Sequence, residues 1–287
     1  MLQNSSSKSL VFHVILFSLI GSVFTGTIIL LLSFLVPNHT ENLWVLRLSI
    51  LLQDTFVMFL PAYLVFKLSS HKPLYALKLT KDNKMKDMLF RTFVIFLVTL
   101  PAASVMAQWN AGIMFPEALS GLEAKFREME ESAKAVTDTF LASNNLLDLL
   151  INVAIVGVAA AFVEEVLFRG ALQQLFEKWF NNGHAAVWVT AFIFSAIHLQ
   201  FYGFVPRLFM GAVLGYLFLY SRNLWVPIFY HFINNASVVI MSYFGGDSNI
   251  MKQMEESSLE WYSWIGLAIS LILTYFLFSR FSREVKH

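Results

Sequence analysis

Two adjacent carboxylates and an arginine, Glu164, Glu165 and Arg169, interrupt an apolar run that is otherwise typical of a membrane span. Unpaired charges are costly inside a bilayer, so ionisable groups within a span are candidates for function. On a helix, Glu165 and Arg169 lie four residues apart and share a face, which favours an internal ion pair. Glu164 points about 100° away from Glu165 and is left for another role. A purely structural salt-bridge cluster is the alternative interpretation of this stretch.

Three more polar side chains lie in later apolar runs: His198, His231 and Asn235. His231 and Asn235 are four residues apart and project from one face of a helix. One histidine in a span is usually a satisfied structural group, but two histidines and a free glutamate suit catalysis. A carboxylate and a histidine that face one water can share its deprotonation, and the second histidine and the asparagine amide can donate hydrogen bonds to an oxyanion. The set predicts amide hydrolysis by an activated water.

Other kinds of active site fit these residues less well or stay open. Ser195 precedes His198 by three residues but lacks the glycines of a nucleophile elbow. The absence of cysteine removes thiol nucleophiles, thiolate metal sites and disulfides. Zinc or another divalent ion is the main rival, because Glu164, His198 and His231 make a three-ligand set that leaves a position for water. Asp54, midway along another apolar run, is expected to be structural or protonated.

Composition places the chain among all-α polytopic membrane proteins. It has 287 residues, of which 57% are hydrophobic and 14% charged, against about 25% charged in soluble domains. The net charge of +1 gives no reason to expect a nucleic-acid partner. The partners expected are the lipid bilayer and a peptide or membrane-protein substrate.

Hydropathy predicts about eight transmembrane helices, since each run approaches the roughly 20 residues that a span requires. The runs are 10–36, 44–66, 88–106, 146–180, 185–203, 206–221, 224–243 and 262–279. The 67–91 loop is rich in lysine, whereas the loops at 37–43, 107–145 and 244–260 are neutral or acidic. By the positive-inside rule, both termini are cytoplasmic, and we expect a multi-pass protein of the cell (inner) membrane.

Three regions follow from this pattern: a three-span part with an outer amphipathic segment (1–145), a four-span core that carries the polar residues (146–243), and an outer loop with the last span (244–287). The 107–145 loop contains apolar residues at three- and four-residue spacing between charges, which predicts an amphipathic helix. This helix either lies on the outer membrane face, covers the mouth of a cavity, or packs on neighbouring loops.

Helix geometry predicts that two of the polar groups meet. Asn181-Asn182-Gly183 is a turn signal between two helical runs. Glu164 precedes Asn182 by 18 residues and His198 follows it by 16, which places them roughly 27 and 24 Å from the turn at 1.5 Å per residue. An antiparallel hairpin therefore sets both groups at similar height, and His231 reaches a comparable depth if the hairpin extends beyond the bilayer.

The ordered motifs Glu164-Glu165-x-x-x-Arg169, Phe194-x-x-x-His198 and His231-x-x-x-Asn235 resemble those of the CAAX protease and bacteriocin-processing family, whose eukaryotic members are type II CAAX prenyl endopeptidases. The match covers about residues 146–240. The resemblance implies an eight-helix intramembrane endopeptidase with a cavity that opens to the cytoplasm.

By the same resemblance, Glu164 is the base that activates water and His198 is its partner, while His231 and Asn235 stabilise the oxyanion. Glu165 and Arg169 would hold the helix and its partners in place. The metal-free glutamate mechanism is favoured over a metal-dependent one, so no cofactor is expected. The alternative function is a non-catalytic membrane factor, such as a bacteriocin-immunity or scaffold protein.

Overall fold

The computed structural model describes residues 2–36, 42–142, 145–245 and 259–284, and helices with the turns between them make up all of this part of the chain. Helices suit an apolar chain because they satisfy all backbone hydrogen bonds within one segment, as a bilayer interior requires. The helices are α1 (Ser7–Leu35), α2 (Leu43–Ser69), the one-turn α3 (Pro73–Ala76), α4 (Met85–Ala111), α5 (Ser120–Leu141), α6 (Leu146–Phe180), α7 (Gly183–Ala196), α8 (Phe204–Ser221), α9 (Trp225–Gly245) and α10 (Trp261–Glu284).

An all-α polytopic membrane protein is confirmed, although the exact number of spans is not. Among the described residues, six helices are long and apolar enough to cross a bilayer: α1, α2, α4, α6, α8 and α10. The predicted fifth run, 185–203, forms only the 14 residues of α7, roughly 21 Å of helix. Helix α9 has 21 residues but carries polar groups along its length. The count of eight therefore stays a prediction.

Helix α6 is the longest helix in the region that carries the polar motifs. It runs for 35 residues and contains π-helical stretches at 153–160 and 166–173, on either side of Glu164 and Glu165. Such wide turns are often found at functional sites because they change how side chains are presented. The helix ends at Asn181, which adopts a left-handed conformation with a φ of 51°.

The predicted turn between α6 and α7 is present. The Asn182 side chain accepts a hydrogen bond from the backbone N–H of Ala185, which caps the start of α7. Helices α6 and α7 thus form the predicted hairpin, and α8 packs beside both of them.

Two glycines allow α8 to approach its neighbours closely. A Cβ on Gly211 would lie 3.1 Å from the Cα and Cβ of Ala191, and one on Gly215 would lie 2.9 Å from a methyl carbon of Val187. Gly211 and Gly215 form a GxxxG pair, which lets α8 pack closely against α7. The backbone carbonyls of both glycines also accept hydrogen bonds from side chains of α6.

The predicted amphipathic helix is α5, and it packs on the turn that follows α7. Glu130 accepts hydrogen bonds from the Gln200 amide and from the backbone N–H of Tyr202, at 3.2 and 3.3 Å. The rings of Phe126 and Phe201 stack with centroids 5.1 Å apart. Helix α5 therefore covers this end of the α7–α8 connection. Most of the predicted outer loop at 244–260 lies outside the described residues.

Candidate active site

Glu165 and Arg169 form a fully buried ion pair on α6. Arg169 Nη1 donates to Glu165 Oε1 at 2.7 Å, and Arg169 Nη2 donates to the Gly211 carbonyl at 3.0 Å. Both side chains have 0% exposure. The guanidinium also lies over the Phe194 ring, 4.9 Å from its centroid. The i, i+4 pair predicted from the sequence is present, and it ties α6 to α8.

Glu164, one residue earlier, faces a different group, as the helical geometry predicts. Its carboxylate Oε2 lies 3.8 Å from His231 Nε2, and 14% of its side chain is exposed. This residual exposure distinguishes it from Glu165, which is sealed. Glu164 is thus the less buried carboxylate of the pair.

His231 is held in place by the second carboxylate. Its Nδ1 lies 2.9 Å from Glu165 Oε1, so Glu165 contacts both Arg169 and His231. Since Nδ1 is occupied, Nε2 is the nitrogen that faces Glu164. A bond of this kind fixes the orientation of an imidazole ring.

Asn235 lies one turn after His231 on α9, and its amide is already engaged. Its Nδ2 donates to the Val156 carbonyl at 3.0 Å, and its Oδ1 accepts from Asn234 at 3.3 Å. Val156 belongs to the first π-helical stretch of α6. Asn235 therefore connects α9 to α6 and keeps one amide hydrogen for another acceptor.

His198 lies just beyond the end of α7, and the motif phenylalanine Phe194 orients it. His198 Nδ1 lies 2.8 Å from the Phe194 carbonyl oxygen, which can only accept, so Nδ1 carries a proton and Nε2 is available. The Phe194 ring is in edge contact with both histidines, with centroids 5.3 Å from His198 and 6.0 Å from His231. Leu199, the next residue, has a φ of 55°, a strained conformation for a bulky residue and one that is enriched at functional sites.

The structure brings the four predicted catalytic residues to one region, but their direct contacts are unequal. Glu164 and His231 approach each other directly. His198 interacts electrostatically with His231, yet within the described part of the chain it has no hydrogen bond or ion pair with Glu164. A water molecule between Glu164 and His198 is the arrangement that would join them chemically.

Two other polar residues considered in the sequence, Ser195 and Asp54, are both buried. Ser195 is fully buried, and its hydroxyl donates to the Phe204 carbonyl at 2.7 Å. This bond ties α7 to α8, and it directs the hydroxyl hydrogen to a backbone carbonyl and not to a histidine. Asp54 is buried in a π-helical stretch of α2, where it interacts electrostatically with Glu164.

A metal-dependent mechanism would need Glu164, His198 and His231 to act as ligands of one ion. Among the described residues, no group of three or more His, Asp or Glu side chains has the placement that could hold a metal. Nδ1 of each histidine is bonded, to Phe194 or to Glu165, as it also is in histidines that bind a metal through Nε2. The mechanism proposed below uses only side chains and water.

Sequence reasoning missed Arg207, which the structure places beside the site. Arg207 lies at the start of the predicted run 206–221, where no role was assigned to it, and the structure places it in the first turn of α8, which begins at Phe204. Arg207 interacts electrostatically with both Glu164 and His198. Its spacing to Gly211 and Gly215, at i, i+4 and i+8, is the signal that could have placed it on the same helical face.

A second missed group holds the N-terminal ends of α2 and α6 together. Arg47 on α2 is buried, and its Nη2 donates to Asp148 at 2.8 Å and to Asn152 at 2.9 Å. Asn152 in turn donates to the carbonyl of Phe140, at the end of α5. Because Arg47 lies more than a hundred residues before Asp148 and Asn152 in the chain, local patterns do not indicate its contacts with them.

Two cavities flank the site. One, of about 360 Å³, lies between α5 and the turn after α7 and is lined by His198, Leu199 and Gln200 together with Met129. The other, of about 900 Å³, opens next to the basic 67–91 loop and is lined mainly by apolar side chains, including Phe162, Ile228 and Phe232. Substitutions of the residues that line each cavity can therefore test by which route a substrate reaches the site.

The charged face of α5 is held by its own network. Glu123 accepts hydrogen bonds from the backbone N–H of Phe115 and from the Arg127 guanidinium, at 3.0 and 2.7 Å. These two bonds, the backbone one first, hold the pKa of Glu123 below its ordinary value. Arg127 also lies over the Tyr202 ring, 4.5 Å from its centroid, so the network joins α5 to the turn after α7.

Comparison with known proteins supports the resemblance found in the motifs. Residues 146–237 match the family described as type II CAAX prenyl endopeptidase Rce1-like. This segment holds all of the motif residues, from Glu164 to Asn235. The predicted resemblance to this family is therefore confirmed over that segment.

Two curated proteins of Bacillus subtilis (strain 168) are similar to parts of the chain. "Uncharacterized protein YpbD" is 34% identical over 80 residues, which are 26% of this chain and 38% of YpbD. "Putative membrane peptidase YdiL" is 30% identical over 112 residues, which are 39% of this chain and 43% of YdiL. The chain thus spans less than half the length of each relative, and no solved structure matches it.

Proposed function

We propose that the chain is an intramembrane endopeptidase that hydrolyses a peptide bond with a water activated by Glu164 and His198. The observation that carries this proposal is the contrast between two neighbouring carboxylates. Glu165 is sealed in a charge network, whereas Glu164 is partly exposed and lies 3.8 Å from the Nε2 atom of His231. The match of residues 146–237 to a family of membrane endopeptidases supports the same reaction.

In the proposed mechanism, a water molecule bridges Glu164 and His198 Nε2. Glu164 takes a proton as the water oxygen attacks the carbonyl carbon, and the electron pair of the C=O bond moves to oxygen. When the C–N bond breaks, the proton passes to the leaving amine. One water is consumed, and one carboxyl and one amino terminus are formed.

The remaining polar residues hold this arrangement. His231 donates from Nε2 to the oxyanion when both of its ring nitrogens are protonated, and Asn235 adds its remaining amide hydrogen. Glu165 orients His231 through Nδ1, and Arg169 compensates the charge of Glu165. Neither of these two residues touches the substrate.

We further propose a peptide or membrane-protein substrate that reaches the site from the bilayer, a metal-free reaction, and an inner-membrane location with both termini in the cytoplasm. The supporting observation for this orientation is the concentration of lysine in the 67–91 loop.

Cleavage of a quenched-fluorescence peptide library by the purified protein in detergent tests the proposed function. We expect Glu164→Ala and His198→Ala to lose activity while their unfolding curves stay close to wild type. Ser195→Ala is the control, because its hydroxyl only bonds the Phe204 carbonyl. Equal activity of wild type, Glu164→Ala and His198→Ala would remove the catalytic assignment and favour a non-catalytic membrane factor.

A further inference from the structure

The contacts between α6 and α8 place Arg207 level with the paired carboxylates. Arg169 donates to the Gly211 carbonyl and Gln173 to the Gly215 carbonyl, at 3.0 and 2.9 Å, and in both pairs the residues are 42 positions apart. The two helices therefore run side by side in a constant register. The same offset places Arg207 opposite Glu165.

The Arg207 guanidinium has a donor that no described group uses. Its Nη2 donates to Gln200 Oε1 at 2.8 Å, whereas its Nη1 is buried and has no hydrogen-bond partner. A buried donor without an acceptor costs about 1–3 kcal/mol, so this atom calls for an explanation. Gly203 makes room for the group, since a Cβ there would lie 2.9 Å from Nη2.

The charge of Arg207 acts on the proposed reaction centre. It interacts electrostatically with Glu164, with His198 and, from α5, with Glu130. Arg207 also lies in the first turn of α8, where the helix dipole adds positive potential. It borders a cavity of about 250 Å³ together with Tyr230 and Asn234, which lie one residue before and three residues after His231 on α9.

The donors already assigned to the oxyanion leave a place for another one. Asn235 spends one amide hydrogen on the Val156 carbonyl. His231 can donate from Nε2 only when it is doubly protonated, because Nδ1 is held by Glu165. An arginine side chain is always protonated, so it can donate a hydrogen bond to the oxyanion without first gaining a proton.

We propose that Arg207 is a further catalytic residue, whose Nη1 donates a hydrogen bond to the carbonyl oxygen of the scissile peptide as that oxygen becomes an oxyanion. This inference rests on the proposed endopeptidase function. Arg207 transfers no proton and forms no covalent bond. It stabilises the negative charge that arises when water attacks the carbonyl carbon, and the charge disappears when the C–N bond breaks.

Kinetics of Arg207→Ala and Arg207→Lys in the purified full-length protein test this role. Removing one oxyanion donor lowers kcat by about 10²–10³-fold, so we expect a loss of this size in Arg207→Ala with little change in KM. Arg207→Lys should retain part of the rate, because it keeps the charge but not the planar fork. Added guanidinium should restore activity to Arg207→Ala. Arg222→Ala is the matched control, since Arg222 pairs with Glu177 at the other end of α8.

Several outcomes would overturn the proposal. One is a kcat for Arg207→Ala close to wild type, and another is a change confined to KM. A third is a loss in Gln200→Ala as large as that in Arg207→Ala, since Arg207 would then act only by holding the turn after α7. If Arg207→Ala does not fold, the kcat of Arg207→Lys is the deciding measurement. A kcat for Arg207→Lys equal to wild type would show that the planar guanidinium is not needed, and would contradict the proposal. Full activity of Glu164→Ala would instead show that the proposed function itself is wrong.

Discussion

Replacing Arg169 by methionine should destabilise the protein more than any surface charge change. Arg169 is fully buried and donates both to Glu165 at 2.7 Å and to the Gly211 carbonyl at 3.0 Å. Methionine keeps an apolar side chain of similar length but removes every donor. Glu165 would keep only His231 as its partner, and the Gly211 carbonyl would lose its bond from α6.

The expected loss is large because a buried charge is left without its counter-ion. Removing one partner of a buried ion pair costs about 3–5 kcal/mol, and an unpaired buried carbonyl costs about 1–3 kcal/mol. Since these two costs overlap and His231 still contacts Glu165, we expect Arg169→Met to lower the free energy of unfolding by about 3–5 kcal/mol in total. The double variant Glu165→Leu/Arg169→Met should be less destabilised than Arg169→Met, because no uncompensated carboxylate remains.

The free energy of unfolding, measured by denaturing-detergent titration in mixed micelles, is the suitable readout. Arg222→Met is the matched control, because Arg222 makes two bonds of 2.6 Å to Glu177 but 49% of its side chain is exposed. An exposed pair contributes at most about 1 kcal/mol. Equal effects of Arg169→Met and Arg222→Met, or strictly additive effects in the Glu165–Arg169 cycle, would refute the paired role.

Three further predictions concern the packing of α8, the contacts of α5 and the need for a metal. Gly211→Ala should lower the free energy of unfolding, measured by thermal unfolding, by about 1–3 kcal/mol, because the added Cβ would lie 3.1 Å from Ala191. Gly26→Ala is the control, since a Cβ there meets open space and should not destabilise the protein. Equal effects of the two substitutions would contradict the close packing of α8. The pKa of Glu123 is lowered, mainly by the hydrogen bond from the Phe115 backbone N–H. The ionised Glu123 side chain therefore stabilises the position of α5 above the ordinary glutamate pKa, and this stabilisation is lost as the pH falls through the lowered pKa. Hydrogen exchange in the first turn of α5 should therefore speed up at acidic pH beyond the intrinsic change, and Glu123→Gln should abolish this dependence; a pH dependence that persists in the variant would contradict it. Activity should survive exhaustive chelation, and its loss with recovery on adding zinc would overturn the metal-free mechanism.

The local features of the fold could be predicted because hydropathy, turn signals and helical spacing act over a few residues. The run 146–180, the turn at Asn181–Gly183 and the amphipathic helix α5 are all present. The Glu165–Arg169 pair is also local, since both residues lie on one helical face. The π-helical stretches of α6 were not predicted, because hydropathy does not distinguish them from an α-helix.

Contacts between helices were much harder to predict. Nothing in the sequence indicates that His231 binds Glu165, 66 residues away, or that Asn235 binds the Val156 carbonyl. Arg207 was overlooked because it lies at the edge of the apolar run 206–221, and hydropathy does not show which helices pack beside the first turn of α8. The set of polar residue types is readable from sequence, but the pairing among them depends on how the helices pack.

The central claim is that Glu164 lies in one pocket with both histidines, and crosslinking tests it directly. Because the chain has no cysteine, pairs can be introduced into an otherwise thiol-free protein and treated in membranes with a short bifunctional thiol reagent. We predict that Glu164→Cys crosslinks to His231→Cys and also to His198→Cys, as efficiently as the control pair Arg47→Cys/Asp148→Cys, whose native side chains are 2.8 Å apart. Efficient crosslinking of the control alone, with none from Glu164→Cys to either histidine position, would contradict the account.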